Sequence, residues 1–291
     1  MKKIQLHAYA KINLTLDVTG KRPNGYHDVE MIMQQISLCD EVTVSWEAGS
    51  VRRGKPGQTA EPNPTGIQIQ LTVSRPDLPA DSSNLAWKAA KEMIAEFGGP
   101  AGGNAKAAAG TDAAGGVLTI DIQKQIPMAA GLAGGSSNCA AVLHAINQLW
   151  ELNLSVKELC RIGARLGSDV PFCIMGQAAA EEALQGSFAD DPDACHCALA
   201  TGTGTDLKPL TGLDSFIVLS KPAIGVSTAE VYRGIDNEGI PRHPDNNAVI
   251  SAIFENNYKV LEEKMVNVLE NFALKRYPII VYTKNIMSDL C

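Results

Sequence analysis

The sequence lacks several features that place a protein in a class at once. It has no run of about 18 consecutive apolar residues, the length that a membrane-spanning helix needs. It has no excess of basic residues, because 25 Lys and Arg stand against 32 Asp and Glu and give a net charge of -7. Nucleic-acid phosphates and anionic lipids repel such a chain, so we expect neither a nucleic-acid nor a membrane partner. A nucleotide ligand is not excluded, because a phosphate site is local.

The sequence also lacks a cysteine pairing pattern. The seven cysteines are odd in number and scattered along the chain, which fits a reducing cytoplasm better than a disulfide framework. The segment 195–197, Cys-His-Cys, has no second ligand pair at zinc-site spacing, so free thiols in a loop are the favoured interpretation. No secretory signal is indicated, since Lys11, Asn13 and Asp17 interrupt the apolar stretch near the N-terminus. We therefore expect a cytoplasmic location.

The overall composition is that of a globular protein. The chain has 291 residues, 45% of them hydrophobic and 20% charged, which suffices for one large domain or two moderate ones. Apolar residues occupy the even positions from Ile4 to Val18 and predict a first strand, whose opposite face carries Tyr9, Lys11 and Asn13. The same alternation predicts further strands at residues 42–46, 67–73 and 118–122.

Helices are predicted between and after these strands. Residues 81–97 open with capping residues, and residues 155–158 match a capping box whose helix stops at Gly167. Another helix starts at residues 136–138, and two or three follow in the C-terminal part, including 255–274. Loops or insertions are expected at residues 47–66, 98–115 and 177–198. The irregular alternation of strands and helices favours an α+β fold over a doubly wound parallel sheet.

The segment PMAAGLAGGSSN, residues 127–138, places bare glycine backbone directly ahead of a predicted helix. Glycine costs conformational entropy there, and backbone N–H groups at a helix N-terminus suit phosphate oxygens. The segment is not a P-loop, because no lysine follows Gly134 or Gly135, and it does not match the dinucleotide fingerprint. TGTGTD at residues 201–206 has only the first two glycines of that fingerprint. Alone, the glycine-rich segment fits a phosphate cradle and a plain turn equally well.

Three further features strengthen the phosphate interpretation. Lys11 and Asn13 share one strand face, Asp169 follows a helix end in GSDVPF, and NGYH at residues 24–27 offers an aromatic ring and an imidazole on a turn. Each feature also has an ordinary interpretation, as a solvated lysine, a helix cap or a surface pair. Phosphoryl transfer, however, needs a phosphate cradle, a cation and a carboxylate in one site.

Six segments of the sequence carry a resemblance to a known family. AKINLTLDVTGKRPNGYH, PMAAGLAGGSSN and GSDVPF occur in this order, and NLAWKAA, KPAIGVSTAEVY and NVLENFALKRYP accompany them. They resemble the signature segments of the 4-diphosphocytidyl-2-C-methyl-D-erythritol kinase family, in the galactokinase, homoserine, mevalonate and phosphomevalonate kinase superfamily. The resemblance covers most of the chain. It implies a two-lobed α+β small-molecule kinase fold, with an ATP-binding and catalytic lobe at residues 1–170 and an incomplete substrate lobe at residues 171–291.

The resemblance also implies a reaction. ATP, accompanied by Mg2+, would phosphorylate the 2-hydroxyl group of a cytidine-diphosphate-linked methylerythritol in the non-mevalonate route to isoprenoids. Lys11 and Asp169 match the catalytic pair of the family. The ATP phosphates are expected on the backbone of Pro127, Met128, Ala129, Ala130, Gly131, Leu132, Ala133, Gly134, Gly135, Ser136 and Ser137. Ser137 is the one candidate ligand for Mg2+, and the metal site is otherwise unassigned.

By the same resemblance, the substrate is held by side chains from two motifs. Tyr26 and Tyr232 would enclose the cytosine ring, and His27 would hydrogen-bond its polar edge. Asn13 and Thr228 are expected near the rest of the substrate. A monomer or a weak homodimer is expected.

The sequence departs from the family near its C-terminal end. Relatives continue past the LKRYP segment to a glycine-rich loop of the form S-G-S-G-P-T, whereas this sequence ends at VYTKNIMSDLC. This departure leaves open a nucleotide-binding remnant without catalysis. A separate alternative is a sister kinase of the same superfamily that acts on mevalonate or homoserine, although the aromatic residue of NGYH favours a nucleobase.

Overall fold

The computed structural model of the chain describes residues 1–49, 66–100 and 115–290, and two compact units are present. Unit 1 comprises Met1–Ala10, Ser37–Ile126 and Ala133–Ala194, and unit 2 comprises Lys11–Ile36, Pro127–Leu132 and Cys195–Cys291. The chain therefore passes between the units several times. The roles expected for residues 1–170 and 171–291, ATP binding and substrate binding, stay predictions.

The strands of unit 1 are β3 (Ile67–Val73), β4 (Gly116–Gln123) and parts of two long strands that continue into unit 2, β1 (Lys2–Lys21) and β2 (His27–Ala48). Strand β2 pairs antiparallel with β4, where Val44 lies opposite Ile120, and β3 pairs parallel with β4. Strand β1 also pairs with β2. Alternate residues of β4 are buried, because a period of two sends them to the same face. These four strands confirm the alternation in the sequence.

The helices of unit 1 are α1 (Leu85–Phe97), α2 (Gly134–Leu149), α3 (Val156–Ala164), α4 (Val170–Ala180) and α5 (Gln185–Phe188), with a 3-10 turn at Glu182–Leu184. Helix α2 packs against α1, α3 and α4, and its residues 137–147 are all buried. Asn84 caps α1 by accepting the N–H of Ala86. Ser155 and Glu158 form the predicted capping box at the start of α3.

Unit 2 contains β5 (Cys197–Thr201), β6 (Asp206–Leu210), α6 (Thr228–Glu238), α7 (Asn246–Phe254), α8 (Tyr258–Lys264), α9 (Glu270–Arg276) and α10 (Pro278–Leu290). The first part of β2 pairs antiparallel with β5, which pairs antiparallel with β6. A buried cluster that includes Leu14, Ile32, Val249 and Leu261 joins β1 and β2 to α7 and α8. In the part of the chain that the structure describes, no helix combines the length and the apolar character that crossing a membrane requires.

Helix α4 is an element that the sequence analysis missed. The loop expected at residues 177–198 is wrong, since this stretch contains the end of α4, the 3-10 turn, α5 and the start of β5. Residues 170–178 of α4 are all buried. A helix that is buried on every side has no apolar stripe, so its sequence shows no helical period.

The single helix expected at residues 255–274 is also wrong. Asn256 adopts a positive φ of 53°, and the Asn257 side chain caps α8 by accepting the N–H of Val260. Asparagine tolerates the left-handed region and is a strong N-cap, so this pair separates α7 from α8. The other two expected loops fall largely on residues 50–65 and 101–114, outside the described residues.

Candidate functional site

The glycine-rich segment reaches α2 through a strained backbone. Ala129 and Ala133 have positive φ values of 48° and 56°, and Gly131 between them has a φ of 73°. For alanine this left-handed conformation costs about 1–2 kcal/mol, and such strain concentrates at functional sites. Ala133 is the N-cap residue of α2 and its side chain provides no hydrogen bond. The first N–H groups of α2 therefore have the arrangement that binds anions at helix N-termini.

A buried ion pair fixes the base of α2 in unit 1. Lys124 and Asp40 are in direct contact, and their side chains are 7% and 0% exposed. Asn138, in the first turns of α2, accepts from Lys124 Nζ at 2.9 Å and donates to Asp40 Oδ2 at 2.8 Å. Asp40 Oδ1 accepts the backbone N–H groups of Gln125 and Ile126 at 2.7 and 2.8 Å. Asp40 thus joins the residues before the glycine-rich segment to the helix after it.

Ser136 and Ser137 have different surroundings. Ser137 is fully buried, its Oγ donates to the carbonyl oxygen of Tyr9 at 2.6 Å, and Gln177 Nε2 lies 3.1 Å from the same Oγ. This hydroxyl group does not fit a ligand of Mg2+, because its surroundings are protein atoms. Ser136 is half-buried. Among the described residues, no group of three or more His, Cys, Asp or Glu side chains is arranged to hold a metal ion.

Lys11 lies beside the first half of the glycine-rich segment, within unit 2. Its backbone N–H donates to the carbonyl oxygen of Leu132 at 3.2 Å, and its Nζ donates to Asn13 Oδ1 at 3.2 Å. The residue is only 5% exposed. Its burial and its hydrogen bond to Asn13 hold the ammonium group at a fixed place on β1. Unit 2 brings together three predicted site residues, Lys11, Asn13 and Leu132.

Asp169 belongs to unit 1, where it is the N-cap residue of α4. The side chain is half-buried and makes no capping hydrogen bond, while the carbonyl oxygen accepts the N–H of Cys173 at 3.1 Å. Its carboxylate lies at the positive end of the α4 dipole, a position that favours negative charge. Asp169 is thus held at the end of a rigid, buried helix.

His27 and Tyr232 lie together in unit 2, with ring centroids 5.2 Å apart and an interplanar angle of 30°. His27 Nε2 is 2.7 Å from Asp236 Oδ1, and Lys21 Nζ donates to Asp236 Oδ2 at 2.6 Å. The hydrogen bonds from Lys21 and His27 lower the pKa of Asp236 below its ordinary value. Tyr26, in contrast, is 65% exposed. The unit therefore brings together His27 and Tyr232 and leaves Tyr26 at the surface.

Thr228 is the first residue of α6 and is exposed. The helix is capped by Ser227, whose side chain accepts the N–H of Glu230. Thr228 precedes Tyr232 by four residues, so the two side chains lie on the same face of α6. A shared position near one ligand stays a prediction.

Comparison with known proteins agrees with the motifs. A family model described as "GHMP kinases N terminal domain" matches residues 84–177. A 4-diphosphocytidyl-2-C-methyl-D-erythritol kinase of Alkaliphilus metalliredigens is 40% identical over 290 residues, which covers 99% of this chain and 82% of the relative. One of Geobacillus thermodenitrificans is 38% identical over 286 residues, with 98% and 81% covered. The chain belongs to the 4-diphosphocytidyl-2-C-methyl-D-erythritol kinase family.

Solved structures support the same family. A crystal structure of a 4-(cytidine 5'-diphospho)-2C-methyl-D-erythritol kinase is 25% identical, covers 99% of this chain and 83% of that chain, and has a TM-score of 0.64. The mevalonate kinase of L. major, 15% identical with a TM-score of 0.52 over 94% of this chain and 75% of that one, shares the fold. The predicted α+β small-molecule kinase fold is confirmed. The roles of individual site residues stay predictions.

Asp40, Lys124 and Asp236 were not singled out from the sequence. Asp40 and Lys124 are 84 residues apart, and neither segment has a local signal that names the other as its partner. Asp236 follows Tyr232 by four residues on α6, and this spacing predicts a shared helix face. That signal was present in the sequence and points to Asp236 once Tyr232 is suspected of binding a ligand.

Proposed function

We propose that this chain transfers the γ-phosphoryl group of ATP to the 2-hydroxyl group of 4-diphosphocytidyl-2-C-methyl-D-erythritol, in the non-mevalonate route to isoprenoids. The observation that carries the proposal is the family likeness across nearly the whole chain, which includes the glycine-rich segment and the residues around His27. In the reaction, a bond forms between the hydroxyl oxygen and the γ-phosphorus. The bond from that phosphorus to the β-phosphate oxygen breaks, and ADP leaves.

The ATP phosphates bind to backbone N–H groups of the glycine-rich segment, residues 127–137. The uncapped start of α2 and its dipole supply partial positive charge there. The Asp40–Lys124 pair supports this function by holding the first turns of α2 in place. Because the protein donors are in place before the reaction, they stabilise charge on the phosphates with little rearrangement.

Lys11 and Asp169 act at the reacting atoms. The Asp169 carboxylate orients the 2-hydroxyl group and accepts its proton, and the Lys11 ammonium stabilises negative charge on the transferring group. A loose phosphoryl-transfer transition state asks little of a base, so positioning is the larger part of the role of Asp169.

The cytidine part of the substrate binds in unit 2. Tyr232 packs on one face of the cytosine ring and Tyr26, whose side chain is exposed, packs on the other. His27 hydrogen-bonds the polar edge of the base. Asn13 and Thr228 contact the remainder of the substrate.

Mg2+ would accompany bound ATP here, as it does in phosphotransferases generally. When bound, it neutralises charge on the phosphate oxygens. The buried hydroxyl group of Ser137 is engaged by Tyr9 and Gln177, and these contacts argue against its binding the ion. We therefore assign no step to a protein-held metal ion.

The test compares acceptors under identical conditions. The chain is incubated with ATP and Mg2+ and with the cytidine-linked polyol, mevalonate or homoserine, and ADP formation is measured. We expect turnover with the cytidine-linked polyol that exceeds the others by at least about a hundredfold, because a site built for a base leaves polar groups unpaired with the other acceptors. Equal use of mevalonate or homoserine would contradict the assignment, and binding of ATP without any product would indicate a remnant without catalysis.

A further inference from the structure

The imidazole of His27 is held from two sides in unit 2. Its Nε2 lies 2.7 Å from Asp236 Oδ1, and its ring packs against Tyr232. The second carboxylate oxygen of Asp236 accepts from Lys21 Nζ at 2.6 Å. The His27 side chain is 8% exposed, so its orientation is fixed by these neighbours rather than by water.

The charge of Asp236 decides which nitrogen of His27 carries the proton. Hydrogen bonds from Lys21 and His27 lower the pKa of Asp236, so this carboxylate is ionised at neutral pH. An ionised carboxylate only accepts hydrogen bonds, and Nε2 of His27 must therefore be the protonated nitrogen. In the neutral ring, Nδ1 then keeps its lone pair. Within the described residues, Nδ1 has no hydrogen-bond partner.

Helix α6 supplies both contacts to the imidazole. Tyr232 and Asp236 are four residues apart, so one helix face presents a ring to the side of the imidazole and a carboxylate to its edge. His27 and Asp236 also line a pocket of about 320 Å³, together with Lys21 and His243 among others. His27 and Asp236 therefore both border open space at the surface of unit 2.

We propose that Asp236 is a positioning residue that sets the tautomer of His27, so that His27 Nδ1 accepts a hydrogen bond and selects cytosine over uracil. The inference rests on the proposed function, in which His27 contacts the polar edge of the base. Cytosine carries an amino group, a donor, at C4, whereas the pyrimidine with a carbonyl group there presents an acceptor. An acceptor nitrogen on His27 accepts a hydrogen bond from the amino group of cytosine and repels the carbonyl oxygen of uracil. Lys21 supports the arrangement by holding the Asp236 carboxylate.

The variant Asp236→Asn tests this role. Asparagine keeps the shape of the side chain, but its amide group also donates to Nε2 and so releases the constraint on the tautomer. We expect KM for the cytidine-linked substrate to rise about tenfold with kcat within about threefold, the scale of one lost hydrogen bond. The preference for the cytidine-linked over a uridine-linked substrate falls by about the same factor.

Two further variants separate this role from a structural one. Asp236→Glu keeps an acceptor-only group. We expect its KM and its base preference to be much closer to those of the wild type than to those of Asp236→Asn. Glu238→Gln, on the same helix, removes a negative charge that pairs with Lys275 and is expected to change neither quantity. Unchanged KM and unchanged base preference in Asp236→Asn would overturn the proposal.

Nitrogen NMR of the imidazole reports the tautomer without any turnover. We expect the Nε2–H form of His27 in the wild-type chain and loss of that form in Asp236→Asn. An Nδ1–H form in the wild type would overturn the proposal. If the wild type forms no product, the proposed function fails, and calorimetric titration with cytidine and uridine 5′-diphosphates then decides this inference separately. Loss of the cytidine preference in Asp236→Asn supports it, and an unchanged preference contradicts it.

Discussion

Individual site residues differ in how firmly the fold holds them and in how visible they are in the sequence. Lys11 is buried in β1 and bonded to Asn13, and the alternation of β1 together with the family motif identified it. Asp169 was identified from the GSDVPF segment, but its place at the start of α4 was not predicted. Asp236 was missed, because an aspartate on an amphipathic helix is usually solvated. Its importance depends on His27, which is distant in sequence.

Replacing either member of the predicted catalytic pair should remove most turnover. Lys11→Met keeps the buried volume without the charge, and Asp169→Asn keeps the shape without the carboxylate. We expect each to lower kcat by about a hundredfold or more, with a much smaller change in KM, as steady-state kinetics would measure. Lys3→Ala, an exposed lysine on the same strand, serves as the control. Near-full activity in either variant would contradict the assigned roles.

Helices and strands could be predicted from the sequence where only one of their faces is buried. They were difficult to predict where every face is buried. Strand β4 and helix α3 show clear periods, since each presents one face to the interior. Strand β1 alternates between apolar and polar residues in the sequence, although Lys11, Thr15 and Asp17 on its polar face are buried as well. Helix α4 has no period, because it is buried on all sides. Helix α2 is also buried along most of its length, yet the glycine-rich segment marked its start. The ion pair that fixes α2 joins distant segments and could not be predicted from either one.

The glycine-rich segment predicts a difference between two neighbouring glycines. A Cβ on Gly134 would lie 3.1 Å from Ile126 Cγ2 and 3.2 Å from Lys124 Nζ, whereas a Cβ on Gly135 would meet only Leu85 Cδ1, at 3.8 Å. Gly135→Val should therefore weaken ATP binding by about tenfold or more, by standing where phosphate meets backbone, with an unchanged melting temperature. Gly134→Val should weaken binding and also lower the melting temperature.

Calorimetric titration with a non-hydrolysable ATP analogue and thermal unfolding measure these two quantities. Gly135→Ala, with a smaller side chain at the same exposed position, should fall between the wild type and Gly135→Val. If Gly135→Val bound the ATP analogue as tightly as the wild type does, the glycine-rich segment would be a structural turn and not a phosphate site.

The Asp40–Lys124 pair predicts a large loss of stability on a single substitution. Lys124→Met leaves the fully buried Asp40 carboxylate without its cation, and breaking a buried pair in this way costs about 3–5 kcal/mol. Lys2→Met is the matched control, because Lys2 pairs with Glu151 at the surface, where an ion pair contributes little to stability. Urea unfolding measures both free energies. A loss in Lys124→Met as small as that in Lys2→Met would show that the pair does not fix α2.

For the whole molecule, several ionisable groups lower the stability of the fold when the pH falls. Burial lowers the pKa of His144 to about 4, and its Nε2 lies 3.0 Å from the carbonyl oxygen of Ile174. Hydrogen bonds lower the pKa values of exposed carboxyl groups, among them Asp77, Asp81 and Glu158. Burial raises the pKa of Cys197 to about 12 and also raises that of Cys139, so ionising these thiols opposes folding at high pH. Stability should therefore be greatest near neutral pH.

His144 should make a large contribution to the acid side of this profile. Its imidazole is neutral in the folded chain down to about pH 4, whereas in the unfolded chain it binds a proton below about pH 6.5. Its contribution is thus fully present above pH 6.5 and is lost as the pH falls towards 4, by about 2 kcal/mol between pH 7.5 and pH 5. In His144→Asn, packing losses lower the free energy of unfolding at both pH values, but the difference between them should shrink by about 2 kcal/mol. His196→Asn, at an exposed position, should shrink it far less. Urea unfolding at pH 7.5 and pH 5 measures these differences, and an equal pH dependence in the wild type and His144→Asn would mean that His144 takes up its proton without unfolding the chain.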